Sequence, residues 1–416
     1  MDLKLPKVPH AESYQLSNGL TIRSLCGGNH DIIRVSLCIP AGMYYAPERV
    51  VASYTSGLIT KGTKSLKAEE WAKRIEYYGA YTQSFSTNHY KIITISCLTK
   101  HFANVWPLVA EAIIEPAFDE GELELERTKS IQAFKMQLMK TSFRAMRATA
   151  ELHAEGTLYA KRISLEDHQN INIDQIRQFH SQAYLPNGSF IMLSGKPNDE
   201  VFRVIENTLN ENSWKGVKRD LSLPKPVLNP SPKYRIHVPM EDKTQSTLVI
   251  TCPTISPFDP DYNAWTLTVH ILGGGYLGSR LMQNIREEKG LTYGIGAYCM
   301  DNPSFNSFLI QSDLNSDKVE ETIVEIGKEI DNLQKELVPA DEFEQAIAVL
   351  KNQSLQSLDG TITTAESLLN LYIRNMDEDY LQRSFDYLSV ATPEDVLRCA
   401  NKYLNLDNCL IIDAGK

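Results

Sequence analysis

Residues Asp174 to Leu193 read DQIRQFHSQAYLPNGSFIML, and residues Glu394 to Ile412 read EDVLRCANKYLNLDNCLII. Each segment carries a helical pattern, a Tyr, a short turn and an apolar strand-like run. The two tyrosines, Tyr184 and Tyr403, stand 219 residues apart in a chain of 416. The same unit therefore closes each half. Working outward, other stretches pair at a similar spacing. Ile32 to Ile39 (IIRVSLCI) and Ser246 to Cys252 (STLVITC) alternate as strands, as do Lys91 to Leu98 (KIITISCL) and Ser304 to Asp313 (SFNSFLIQSD). Glu124-Leu125-Glu126 resembles Glu342-Phe343-Glu344 in the opening turns of a long helix. Val319, Ile323, Ile326, Ile330 and Leu333 form one apolar helical stripe. This pattern predicts an α+β fold of two tandem, similar domains, each an antiparallel sheet covered by helices. Between them lies Lys215 to Pro232 (KGVKRDLSLPKPVLNPSP), whose four prolines disfavour both a helix and a central strand. The expected division is 1–214, a linker over 215–232, and 233–416.

Composition narrows the function. The chain has 42 basic and 52 acidic residues, a formal charge of −10, and its basic pairs (Lys73-Arg74, Lys161-Arg162, Lys218-Arg219) are scattered. Nucleic-acid binding is not expected, because it needs clustered cations. No apolar run is long enough for a membrane helix. The seven cysteines lack Cys-x-x-Cys spacing, and the first residues (MDLKLPKVPHAES) lack the apolar core of a signal peptide. A cytoplasmic location is expected, or a periplasmic one if a presequence has been removed.

Several blocks resemble the insulinase/pitrilysin family of zinc metallopeptidases, in its short, two-domain, mitochondrial-processing-peptidase-like branch. They are Leu16 to Ile22 (LSNGLTI), Ala41 to Glu48 (AGMYYAPE), Thr60 to Thr63 (TKGT), Leu123 to Arg127 (LELER), Leu272 to Tyr293 (LGGGYLGSRLMQNIREEKGLTY) and the two closing segments. They occur in the family's order along nearly the whole chain. The resemblance implies two domains facing each other across a peptide chamber. It also implies an inverted zinc motif, His-x-x-Glu-His, with a later Glu as third protein ligand.

That motif is missing. Counted back from TKGT, the first His position holds Ser53, the water-activating Glu position Ser56, and the second His position Gly57. The third ligand falls at Ala133, while Glu126, an acid earlier on the same helix, is kept. Ser, Gly and Ala cannot build a zinc ligand field, and serine is a poor general base at neutral pH. No two of the nine histidines lie three or four residues apart, and His153 with Glu155, the nearest approach to a cluster, reads as structural. Ser53 and Ser56 lie in no Gly-x-Ser-x-Gly elbow. Gly273 to Gly278 (GGGYLG) fits a dinucleotide glycine pattern only formally and reads as a tight turn between packed helices.

The second half departs less from the family. Arg286 and Tyr293, in IREEKGLTY, stand where active relatives place an Arg and a Tyr that complete the site across the chamber. These donors suit a substrate carbonyl and its developing oxyanion. A competing reading pairs Arg286 with Glu287 or Glu288 and packs Tyr293 in a strand. The resemblance thus implies a non-zinc subunit of a heterodimeric peptidase. The chain itself would hold no cofactor, and zinc would sit in a homologous partner. Peptide would add as a strand along Gly79 to Tyr90, with Gln83, Ser84 and Phe85 as candidate contacts. The competing functions are a scaffold like the core subunits of respiratory complexes, a homodimeric peptide-binding regulator, and, least favoured, an intrinsic zinc peptidase.

Overall fold

Two sheets with matching strand order organise the molecule in a computed structural model that describes residues 7–155, 157, 159–216, 218–222, 234–302 and 305–416. The first contains β1 (Glu12–Gln15), β2 (Thr21–Cys26), β3 (Ile32–Ile39), β4 (Tyr81–Ser86), β5 (Lys91–Leu98) and β6 (Phe190–Gly195), in the order β1-β2-β6-β3-β5-β4. The second contains β7 (Tyr234–Pro239), β8 (Gln245–Thr254), β9 (Thr292–Asp301), β10 (Asn306–Asn315) and β11 (Leu410–Gly415), in the order β7-β11-β8-β10-β9. Without β1 the two orders coincide element for element. The expected linker falls largely outside the described residues.

The alternating runs fold as their periodicity predicts: β3 and β5 have the bounds read from sequence, and β8 and β10 contain most of the other two. Each sheet is antiparallel except at one place. β2 pairs with β6, and β7 with β11, in parallel. The last strand of each half arrives after a long helical excursion, and such a crossover can deliver a strand in either direction. The repeated closing unit is a helix capped by a capping box, at Asn172 or Thr392, followed by that strand. The glycine run follows the helix Tyr262–Gly273, as a tight turn must. A Cβ at Gly274 would overlap His270, and Gly275 has φ +78°.

Each sheet presents one face to helices of its own half. In the first half Val35, Leu37, Ile93 and Ile95 meet Trp106, Ile113 and Phe179. In the second, Ile250 and Ile310 meet Trp265, Ile326 and Ile330. The opposite faces are covered by exchange. The helix Thr141–His153 of the first half lies on β8 and β11, where Ala145 packs with Val249, Leu309 and Ile412. The helix Thr361–Tyr372 of the second half lies on β6 and β2, where Ala365, Leu368 and Leu371 pack with Leu25 and Met192. The apolar surface that neither half covers alone is thus buried reciprocally.

Candidate functional site

The degenerate motif lies on the helix Arg49–Leu58, beside the edge strand β4. Ser53 is exposed, Ser56 buried and Gly57 partly buried. Glu126, on the helix Glu120–Leu138, reaches this helix, and its carboxylate lies 3.5 Å from where a Cβ at Gly57 would stand. A larger side chain at position 57 would therefore contact Glu126. Ala133 is exposed on the same long helix.

A cation of the protein's own lies against one of these positions, Ser56. Lys91, at the start of β5, is fully buried. Its Nζ donates to the Ser56 carbonyl at 3.1 Å, to Ser56 Oγ at 2.5 Å and to Ser84 Oγ at 2.6 Å. Three ammonium protons meet three oxygens, none of them charged. Burial alone pushes this amine down to about 7. Sequence alternation contains the signal for this placement. Residue 91 shares its strand face with Ile93, Ile95 and Cys97, all core residues. The family's zinc does not fit such a site: Ser53, Ser56 and Gly57 provide no ligand set, and a lysine head group abuts the position of the water-activating residue. Among the described residues no three His, Cys, Asp or Glu converge to hold a metal.

The three residues expected on the peptide-binding strand do lie on a sheet edge. Two are engaged through their side chains, Gln83 with Arg34 at 3.0 Å and Ser84 with Lys91, while Phe85 is exposed. Among the described residues no strand lies along the outer backbone edge of β4.

Arg286 and Tyr293 come together. Arg286 lies on a short helix with π-type hydrogen bonding, Met282–Glu288, and Tyr293 is the second residue of β9. Both line one shallow pocket of about 320 Å³, with Gln245, Asp313 and Asn315 across it. Tyr293 is 90% exposed, so it does not pack in its strand, and the phenol is free to meet another molecule. Arg286 is half-buried and makes a loose 3.4 Å contact with Glu287. That exposed pair holds the guanidinium weakly.

Comparison with known proteins places the chain in a family. Residues 28–159 match the insulinase (peptidase family M16) model, and residues 170–350 match the peptidase M16 inactive domain. The chain belongs to the insulinase, or M16, peptidase family. It is similar to an uncharacterized zinc protease, YmxG, of Bacillus subtilis, at 21% identity over 83% of this chain and 82% of that protein. It is also similar to a non-peptidase homolog, YmxG, of Helicobacter pylori, at 24% identity over 74% of this chain and 72% of the other. A crystal structure of a peptidase M16 inactive domain from Pseudomonas fluorescens shares the fold, with a TM-score of 0.87, 22% identity, and 97% and 98% of the two chains covered. No helix among the described residues is long and apolar enough to cross a membrane.

Proposed function

We propose that this chain is the non-zinc subunit of a heterodimeric insulinase-type peptidase. The observation that carries the reading is an asymmetry. The first half has Ser53, Ser56, Gly57 and Ala133 where metal chemistry requires ligands and a base, with a lysine against Ser56, whereas the second half keeps Arg286 and Tyr293 together on one pocket. In this reading a homologous partner supplies zinc and the water-activating residues, and the present chain holds no cofactor. Arg286 and Tyr293 donate hydrogen bonds to the scissile carbonyl of a peptide and to the oxyanion it becomes. The free edge of β4 supports strand-wise peptide binding with broad sequence preference. Nucleic acid and membrane lie outside this role. We also propose the division 1–214, 215–232 and 233–416, and a cytoplasmic location.

A second reading is that of a scaffold or a peptide-binding homodimer without catalysis. The Arg286–Glu287 contact favours it, because a paired guanidinium needs no substrate. One experiment separates the two. The chain is co-expressed with a homologue from the same genome that carries His-x-x-Glu-His, the complex is isolated by gel filtration, and peptide hydrolysis is assayed. An active complex whose turnover falls about 10²–10³-fold on Arg286→Ala supports the subunit reading. An unchanged rate leaves a scaffold. Stoichiometric zinc and hydrolysis by the isolated chain would refute both.

A further inference from the structure

Where the start of the motif helix meets the exchanged helix Thr141–His153 and the face of the second sheet, a cavity of about 150 Å³ opens. One side of it is aromatic: Tyr44, Tyr159 and Phe305 stack edge to face, with ring centroids 4.1 and 4.7 Å apart. An apolar cavity of roughly this size accepts a single benzene ring. Two half-buried guanidiniums, Arg49 and Arg162, also line it. Arg49 donates to Asn88 Oδ1 at 2.8 Å and to the Lys161 carbonyl and lies over the Tyr44 ring, and Arg162 donates to the Tyr159 carbonyl at 2.6 Å and to the same Lys161 carbonyl at 2.8 Å. Neither pairs with a carboxylate among the described residues. The nearby Glu151 is taken by Arg147 at 3.0 Å. The two guanidiniums repel each other, and burial with that repulsion holds Arg162 down to about 10. One polar atom beside them has no partner among the described residues. His153 is 92% buried and bonds Ser307 Oγ through Nε2 at 2.7 Å, while its buried Nδ1 makes no hydrogen bond to any described residue. Burial lowers this histidine to about 4, so it faces the cavity as a neutral imidazole.

Two half-buried guanidiniums held only by neutral oxygens, beside a ring-sized space, suit an anion with an apolar body, whose charge would complete them. We propose that this cavity binds a small carboxylate bearing one ring-sized or branched apolar group. Arg49 and Arg162 hold the carboxylate, and the apolar group seats among Tyr44, Tyr159 and Phe305. Both a free aromatic acid and the C-terminal residue of a peptide have this chemistry. The site is independent of the zinc-partner reading, since it lies within one chain and needs no second subunit.

The test is calorimetric titration of the isolated chain with four probes: phenylacetate, N-acetyl-Gly-Gly-Phe, the C-terminal amide of that peptide, and benzyl alcohol. At least one acid is expected to bind, with the amide and the alcohol at least tenfold weaker. Binding of the peptide acid alone identifies a chain terminus as the ligand, and binding of phenylacetate identifies a free acid. Arg49→Gln and Arg162→Gln should each weaken the acid at least tenfold, and Ala150→Leu, which adds apolar bulk to the cavity wall and leaves both arginines in place, should abolish binding. Circular dichroism reports whether each variant is folded. No binding of either acid at millimolar concentration, or equal binding of acid and amide by the wild-type chain, would overturn the proposal whatever the variants do.

Discussion

Lys91→Met tests whether the amine beside Ser56 is buried with no countercharge among the described residues. The native state holds Lys91 near 7 against its ordinary 10.5, through burial. Because the folded value is depressed, the unfolded chain binds more protons between these limits. Folding stability therefore rises with pH across that window, and the cost is fully present below about 7. At about 1.36 kcal/mol per pH unit, the whole displacement corresponds to roughly 5 kcal/mol. Integrated from pH 6 to pH 9, Lys91 should contribute about 2–3 kcal/mol of that rise. Methionine fills a similar volume and cannot titrate, although it leaves Ser56 and Ser84 with fewer partners. Equilibrium urea unfolding of both proteins at pH 6, 7.5 and 9 gives the difference, from which groups common to both cancel. The variant's relative stability should be greatest at pH 6 and should decline by about 2–3 kcal/mol by pH 9. A difference that stays flat across this range would refute the assignment of a buried, proton-shedding lysine.

Four further outcomes follow from the geometry. In the active complex, Tyr293→Phe should lower kcat with little change in KM, because the phenol donor acts on the developing oxyanion; an equal effect on both would point to substrate binding instead. Gly274→Ala should destabilise by about 1–3 kcal/mol, since the added methyl overlaps His270, and thermal unfolding would show it. Leu368→Ala, at a fully buried position under the first sheet, should cost about 2–5 kcal/mol. Hydrogen exchange should then speed up in β2 and β6, not only in the second half. Asp261 accepts from Lys402, Arg398 and Tyr403, which hold its carboxyl well below the usual range. Its contribution is present above its ordinary value of 3.8 and is lost as pH falls below it, so Asp261→Asn should flatten the acid limb of a pH-stability curve.

Some of this architecture is legible in the chain itself. A strand buried on one face must alternate, so β3 and β5 appear at their observed bounds. The closing units appear because capping residues, a helical stripe and a strand repeat together. The exchange of helices is not legible, because an apolar stripe such as Ala365, Leu368 and Leu371 shows that a helix is buried but not which sheet buries it. The expectation that this chain holds no zinc rests on residue identities alone, at Ser53, Ser56, Gly57 and Ala133. Lys91 is harder to find. At the head of an apolar run it resembles a solvated flanking charge, and only the parity of its position within β5 turns it inward. The paired arginines of the cavity are 113 residues apart in sequence, at Arg49 and Arg162, and no periodicity links them.

The exchanged helices bear on how such a molecule can arise and be taken apart. Neither half can shield both faces of its own sheet, so an isolated half would expose a broad apolar face and seek a second copy. Two copies of one half-length polypeptide, each lending its helix to the other, would meet the same requirement as a symmetric dimer. Joining them end to end would preserve every contact while letting the two sequences diverge. By the same logic, a chain cut between Ser222 and Tyr234 should remain whole as a complex of two fragments, each acting as the other's missing wall.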